Sequence, residues 1–219
     1  VLSAEREALV DLSATLATRD QPALERALRY GERFAARRSM EEVLLQAHLF
    51  VGFPLVLEAF LLWRRISPAG PPGLESEDRD DWVSRGEGVC RIVYGHSYEK
   101  LRLNVATLHP ELDRWMVVGG YGRVIGRPGL DLATRELCIS ALLAVWGTPR
   151  QLHSHLRGAV NAGANPGEVT ASLEIACRHL APENAERIRR FWHEIAGRTR
   201  GPAYGAGERT RRRHPAGDP

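Results

Sequence analysis

The sequence predicts an all-α fold built from two diverged copies of one helical unit. Three observations predict it. Apolar residues recur at helical spacing through most of the chain, and β-branched alternation bounded by turns is missing. Short motifs also recur in the same order on the two sides of a Pro- and Gly-rich break.

The first copy occupies residues 1–66. A linker follows over 67–80, opened by Ser67-Pro68-Ala69-Gly70-Pro71-Pro72-Gly73 and continued by an acidic stretch. The second copy covers 81–197, and residues 198–219 form a tail. Across the break, Arg6-Glu7-Ala8-Leu9-Val10 parallels Arg135-Glu136-Leu137-Cys138-Ile139. Ala27-Leu28-Arg29-Tyr30-Gly31 parallels Ala159-Val160-Asn161-Ala162-Gly163, and Glu42-Val43 parallels Glu168-Val169. Unrelated amphipathic helices would agree in apolar spacing alone, whereas here polar residues, glycines and prolines recur too.

Helix starts are expected at three capping sequences: Ser39-Met40-Glu41-Glu42, Thr148-Pro149-Arg150-Gln151 and Asn165-Pro166-Gly167-Glu168. Gly147 and Gly163 stand where helices should stop. Residues 82–117 read as one or two helices ending near His109-Pro110, and Arg127-Pro128-Gly129-Leu130-Asp131 as a turn. Gly119-Gly120-Tyr121-Gly122 lacks the spacing of a nucleotide-binding loop.

Composition removes several classes of function. The tail carries six Arg against Glu208 and Asp218, a surplus of four, so the body holds −1 of the total charge of +3. A near-neutral body is no specific nucleic-acid-binding domain. The tail's Gly, Pro and Arg content predicts disorder. No apolar run approaches the roughly 20 residues of a bilayer span, and no leader is visible, so a cytoplasmic protein without a membrane role is expected. Cys90, Cys138 and Cys177 are widely separated and form neither a zinc pattern nor a disulfide framework. Lys100 is the only lysine, in a polar stretch unsuited to Schiff-base chemistry.

Two residues stand out. The 134–146 segment is apolar nearly all round, as a buried helix is, yet Glu136 shares a face with Ile139, Ser140 and Leu143. A carboxylate facing a core needs a partner, which suits acid–base work. The competing reading is a wet first-turn carboxylate favoured by the helix dipole. On the next helix His155 edges the stripe of Leu152, Leu156, Ala159 and Val160, with Gln151 one turn earlier. The competing reading there is a satisfied structural histidine. His153 and His155 diverge by about 160° on a helix and cannot share one metal ion. No metal and no cofactor are expected.

At this point the chain resembles the carboxymuconolactone decarboxylase and alkylhydroperoxidase-like family. The resemblance is carried by Tyr121-Gly122-Arg123-Val124, Arg127-Pro128-Gly129-Leu130-Asp131, Thr134-Arg135-Glu136-Leu137, His155 with Ala159, Gly163-Ala164 and Glu168-Val169. Glu41-Glu42-Val43 and Gly52-Phe53-Pro54 supply a further signature in the first copy. It implies an alkylhydroperoxidase-like helical bundle, here internally duplicated. In the peroxidase branch, two redox cysteines precede the histidine by seven and four residues. The matching positions hold Thr148 and Gln151, so the sulfur nucleophile is missing.

The decarboxylase branch implies a cofactor-independent lyase acting on a small organic acid or lactone. His155 is then the acid, Glu136 sets its protonation state, Gln151 and Thr148 line the substrate site, and Arg135 or Arg127 holds a carboxylate. The alternatives are a peroxidase-like oxidoreductase and a catalytically silent module for assembly or ligand binding. Single-repeat relatives form rings, which implies a homo-oligomer, with a trimer equivalent to six units. The first copy, read with Glu7 opposite Glu136 and Ala23 opposite His155, has lost the imidazole. It is therefore expected to support one working site by closing it with the helix bearing Gln46, His48 and Phe53.

Overall fold

The computed structural model describes residues 1–70 and 79–199, and among them every regular element is helical. The expected tail beyond Thr199 and most of the linker lie outside the described residues. The helices are α1 (Ala4–Thr18), α2 (Gln21–Phe34), α3 (Arg37–Ile66), α4 (Arg79–Tyr94), α5 (Tyr98–Leu108), α6 (Pro110–Arg114), α7 (Leu132–Trp146), α8 (Pro149–Asn161), α9 (Pro166–Cys177) and α10 (Pro182–Thr199). A 3₁₀ turn, Gly95–Ser97, joins α4 to α5, and α6 runs on into a π-helical segment, Trp115–Ile125.

Helix α7 is the centre of the molecule. It packs against α1, α3, α8 and α9, and every residue from Ala133 to Ala144 is buried. This explains its nearly uniform apolarity: each face meets another helix rather than water. Hydroxyls from both flanks reach its backbone. Ser13 of α1 donates to the Cys138 carbonyl at 2.8 Å, and Ser172 of α9 donates to the Leu137 carbonyl at 3.0 Å. Arg6 ties α1 to Glu168 of α9 and to Asp131, the N-cap of α7.

Some helix boundaries differ from the sequence expectation. Asn165 and Glu168 form the full reciprocal capping box. Ser39, by contrast, lies buried inside α3, whose N-cap is Ala36. Thr148 precedes α8 without capping it through its side chain. The Gly119–Gly122 cluster is helical. Glycines there let α4 and the π segment meet backbone to backbone: a Cβ on Gly122 would strike the Trp82 carbonyl, and one on Gly86 the Val117 carbonyl. Helix α3 breaks midway at Gly52, at φ 81° and ψ 165°, a backbone state that glycine adopts freely and β-carbon residues do not. By length and composition α3 is long and apolar enough to cross a bilayer, unlike the shorter run read from the sequence; it is partly buried against the core.

Helices α1–α2 and α7–α8 coincide in their ends. Ser3 and Asp131 are N-caps whose side chains accept from the third residue on. Arg19 and Gly147 end α1 and α7 in the left-handed conformation. Leu24, Ala27 and Leu28 are buried where Leu152, His155 and Leu156 are. These caps place Ala8 opposite Glu136 and Ala27 opposite His155, a different register from the Glu7 and Ala23 pairing of the sequence reading. Glu7 instead faces outward and pairs with Arg178 at 3.4 Å.

Candidate acid–base site between α7 and α8

Helices α7 and α8 are antiparallel neighbours joined by a short turn, and Glu136 and His155 meet across their seam. His155 Nδ1 lies 2.7 Å from Glu136 Oε2. Glu136 is 0% exposed and His155 5%. With the carboxylate ionised, the shared proton sits on Nδ1, so the bond fixes the tautomer and leaves Nε2 to take or give a second proton. The ring is also held from the side: Phe50 of α3 meets it edge-on with centroids 5.7 Å apart.

Close packing holds the carboxylate in place. A Cβ on Gly158 would come within 2.8 Å of Glu136 Oε2 and 2.7 Å of Val93 Cγ1. Gly158→Ala is therefore expected to cost about 1–3 kcal/mol through overpacking and to lengthen the Glu136–His155 bond. Thermal unfolding together with a structure of the variant checks this; an unmoved carboxylate would contradict it. Behind the pair, the Tyr121 hydroxyl donates to that of Tyr94 at 2.8 Å. Burial pushes both phenols up, and the charge of Glu136 adds to the effect, so both stay protonated.

The remaining expected residues fall differently. Thr148 Oγ1 is buried with no hydrogen-bond partner, as are Glu136 Oε1 and Ser140 Oγ. Gln151 is exposed on α8. Arg135, expected to grip a substrate carboxylate, is 0% exposed and fully engaged by the protein. Its Nη2 donates to Glu42 Oε2 at 2.8 Å and to the Arg127 carbonyl at 3.0 Å, its Nη1 to Gln46 at 3.3 Å, and its Nε to the Leu130 carbonyl. Burial lowers its affinity for the proton, and the Glu42 carboxylate opposes this. Arg127 pairs with the same Glu42 at 3.3 Å. Two guanidinium groups thus share one buried carboxylate, a structural cluster that holds α3 to α7.

The 46–54 segment does reach the site, but through Phe50. Gln46 turns to Arg135, His48 packs on Phe53, and Phe53 is 66% exposed. Phe50, Ser140, Tyr94 and Gly158 are the neighbours that sequence reasoning passed over. Only Ser140 carried a signal, as a hydroxyl one turn from Glu136 on an apolar helix. His153 leaves the seam and meets Phe191 edge-on. Among the described residues no three His, Cys, Asp or Glu side chains gather as a metal-ligand set.

Residues 110–194 match the model of the carboxymuconolactone decarboxylase family. This stretch of the chain is similar to that family. The matched region begins at α6, spans the π segment and α7–α9, and ends within α10, so it contains both members of the Glu136–His155 pair. No curated protein matches the chain. The carboxymuconolactone decarboxylase relationship and the all-helical bundle agree with the expectation drawn from the Thr134–Leu137 and His155 motifs.

Proposed function

We propose that the protein is a cofactor-independent lyase of the carboxymuconolactone decarboxylase type, acting on a small organic acid or lactone. The observation that carries this reading is the buried hydrogen bond between Glu136 and His155. Loss of CO2 from a lactone acid leaves an enolate-like carbanion, and the carbon that lost CO2 must gain a proton. The Nε2 position of His155 supplies that proton. Glu136 stabilises the imidazolium before transfer and keeps the ring oriented after it. With Arg135 and Arg127 committed to Glu42, these two arginines are assigned to the fold rather than to the substrate.

The test is CO2 release from a panel of small carboxylated lactones, with chelator present. The wild type is expected to release CO2 and Glu136→Gln to lose most of that activity. Equal release by both would sink the reading.

The peroxidase alternative needs a thiolate. Cys90, Cys138 and Cys177 are buried, and burial pushes each thiol up, away from ionisation. Thiol-dependent peroxide turnover is therefore expected to be absent. Robust turnover that is abolished by alkylating the cysteines would reverse this.

The same reading makes the protein a homo-oligomer, with a trimer favoured, in which each chain carries one working site and a first unit that supports it. A stripe on α3 supports assembly: Leu49, Phe53, Leu57 and Leu61 recur every four residues and are exposed. Light scattering at micromolar concentration is expected to give three times the chain mass; a monomer mass would rule the assembly out.

A further inference from the structure

The element α3 is not one straight helix. Glu41 Oε1 accepts from Trp63 Nε1 at 3.1 Å, and Arg37 Nη1 donates to the Ser67 carbonyl at 3.1 Å. In a straight helix Glu41 and Trp63 would stand about 33 Å apart. Both contacts are centred in sequence on Gly52, whose φ of 81° and ψ of 165° form a backbone state open in practice to glycine alone. Residues 37–51 and 53–66 are therefore the two antiparallel legs of a hairpin folded at Gly52.

The first leg lays one face along the second unit. Glu42, Gln46 and Phe50 are spaced four apart and share that face. Glu42 pairs with Arg135 at 2.8 Å, and Gln46 accepts from Arg135 Nη1 at 3.3 Å. One turn further, Phe50 meets His155 with the ring planes at 85°. The course of the leg does not hang on these polar pairs, because Val43, Leu44 and Ala47 are buried in the core.

His155 needs a contact from the side. Its side chain turns about two bonds, and the hydrogen bond to Glu136 constrains one distance, so one combined rotation is left. That rotation moves Nε2, which lies across the ring from Nδ1. An edge-on aromatic neighbour removes it.

The internal repeat gives an independent comparison. Glu42-Val43 parallels Glu168-Val169, which sets Ala176 opposite Phe50. The helix caps set Ala27 opposite His155. Both alanines are buried. Glu168 is still ion-paired, to Arg6, so the frame around the contact persists. Imidazole and aromatic ring are thus absent together from one half of the molecule and present together in the other. A phenylalanine that only filled the core would have no reason to follow the histidine.

We propose that Phe50 is a positioning residue for His155, through which the first unit, without an acid–base pair of its own, sets the direction of the imidazole in the second. This rests on the acid–base reading of the pair. Phe50 exchanges no proton and acts only through the ring it holds.

The test has a free-protein arm and a turnover arm. Carbon-13 relaxation of the His155 ring C–H groups should give an order parameter of about 0.85 in the wild type, as in rigid backbone, and below about 0.6 in Phe50→Leu, as in flexible segments. Leucine keeps an apolar side chain there but not the flat ring. Phe50→Tyr, which keeps the ring, should restore the rigid value. Phe53→Leu, at the exposed tip of the same hairpin, should leave it unchanged. Should Phe50→Leu fail to fold, Phe50→Met gives the same reading. With a lactone acid, kcat in Phe50→Leu should fall about tenfold while KM stays within about twofold, because a misdirected proton donor is felt in the transition state. An equally rigid ring in Phe50→Leu, equal loosening in Phe53→Leu, or no recovery in Phe50→Tyr overturns the positioning role. So does a loosened ring with unchanged turnover, or a rise in KM alone. Loosening as expected in a protein whose wild type releases no CO2 from any lactone leaves the hold of Phe50 on the ring standing and contradicts the lyase reading alone.

Discussion

Replacing His155 by asparagine is expected to lower CO2 release by about 10²–10⁴-fold, the usual share of a general acid–base group. Asparagine keeps a nitrogen donor near the place of Nδ1, so Glu136 Oε2 retains a partner and the seam stays packed. It has no group that exchanges a proton near neutral pH. His155→Ala removes activity as fully, and in addition leaves the buried carboxylate without its 2.7 Å partner. That costs stability of the order of 1–3 kcal/mol. Glu7→Ala is the matched control. Glu7 is on α1, partly exposed, and pairs with Arg178 at 3.4 Å, so its loss should leave turnover unchanged. Turnover assays with circular dichroism on the same samples separate chemistry from folding. Asparagine at 155 with wild-type turnover would remove the imidazole from the mechanism.

Arg135→Ala is expected to have the largest effect on stability, about 3–5 kcal/mol, because it takes the buried partner from a buried carboxylate and the donor from three further acceptors. Glu42 would keep only Arg127, at 3.3 Å, and Gln46 and the Leu130 and Arg127 carbonyls would lose their donor. For a chain of this size such a loss lowers Tm by roughly 10 °C or more. Activity per folded molecule should persist, since the Arg135 guanidinium points into the cluster joining α3 and α7. Denaturant unfolding with turnover normalised to folded protein checks both parts. A variant that is fully stable yet fails to bind substrate would return Arg135 to the substrate site.

The contrast between Arg135 and Glu136 shows what a sequence reveals and what it hides. Both are charged residues on a helix apolar nearly all round, so both must be partnered or wet. Glu136 had a candidate partner within reach, because His155 is on the next helix and the turn between them is short. The partner of Arg135 is Glu42, 93 residues earlier, and no local pattern connects them. The capping box at Asn165 was legible because both of its members lie within one turn. Ser39 carries the same letters but sits inside α3, where tertiary packing of a long apolar helix extended it past the local stop. The glycine cluster at 119–122 reads as a loop by propensity. It is helical because those glycines permit α4 to approach, a gain that local propensity does not count. Phe50 was passed over since an aromatic on an apolar helix has no distinguishing spacing; only its place beside His155 gives it a role.

The most direct measurement of the central claim is the fate of the solvent proton. With a lactone acid decarboxylated in D2O, a single fixed imidazole should place one deuterium on the carbon that lost CO2, and on one face only. NMR of the product reads both. Deuterium on one face in the wild type, with that product lost in His155→Asn, is the result the Glu136–His155 site predicts. Deuterium spread equally over both faces, or the same labelled product from His155→Asn, would contradict it.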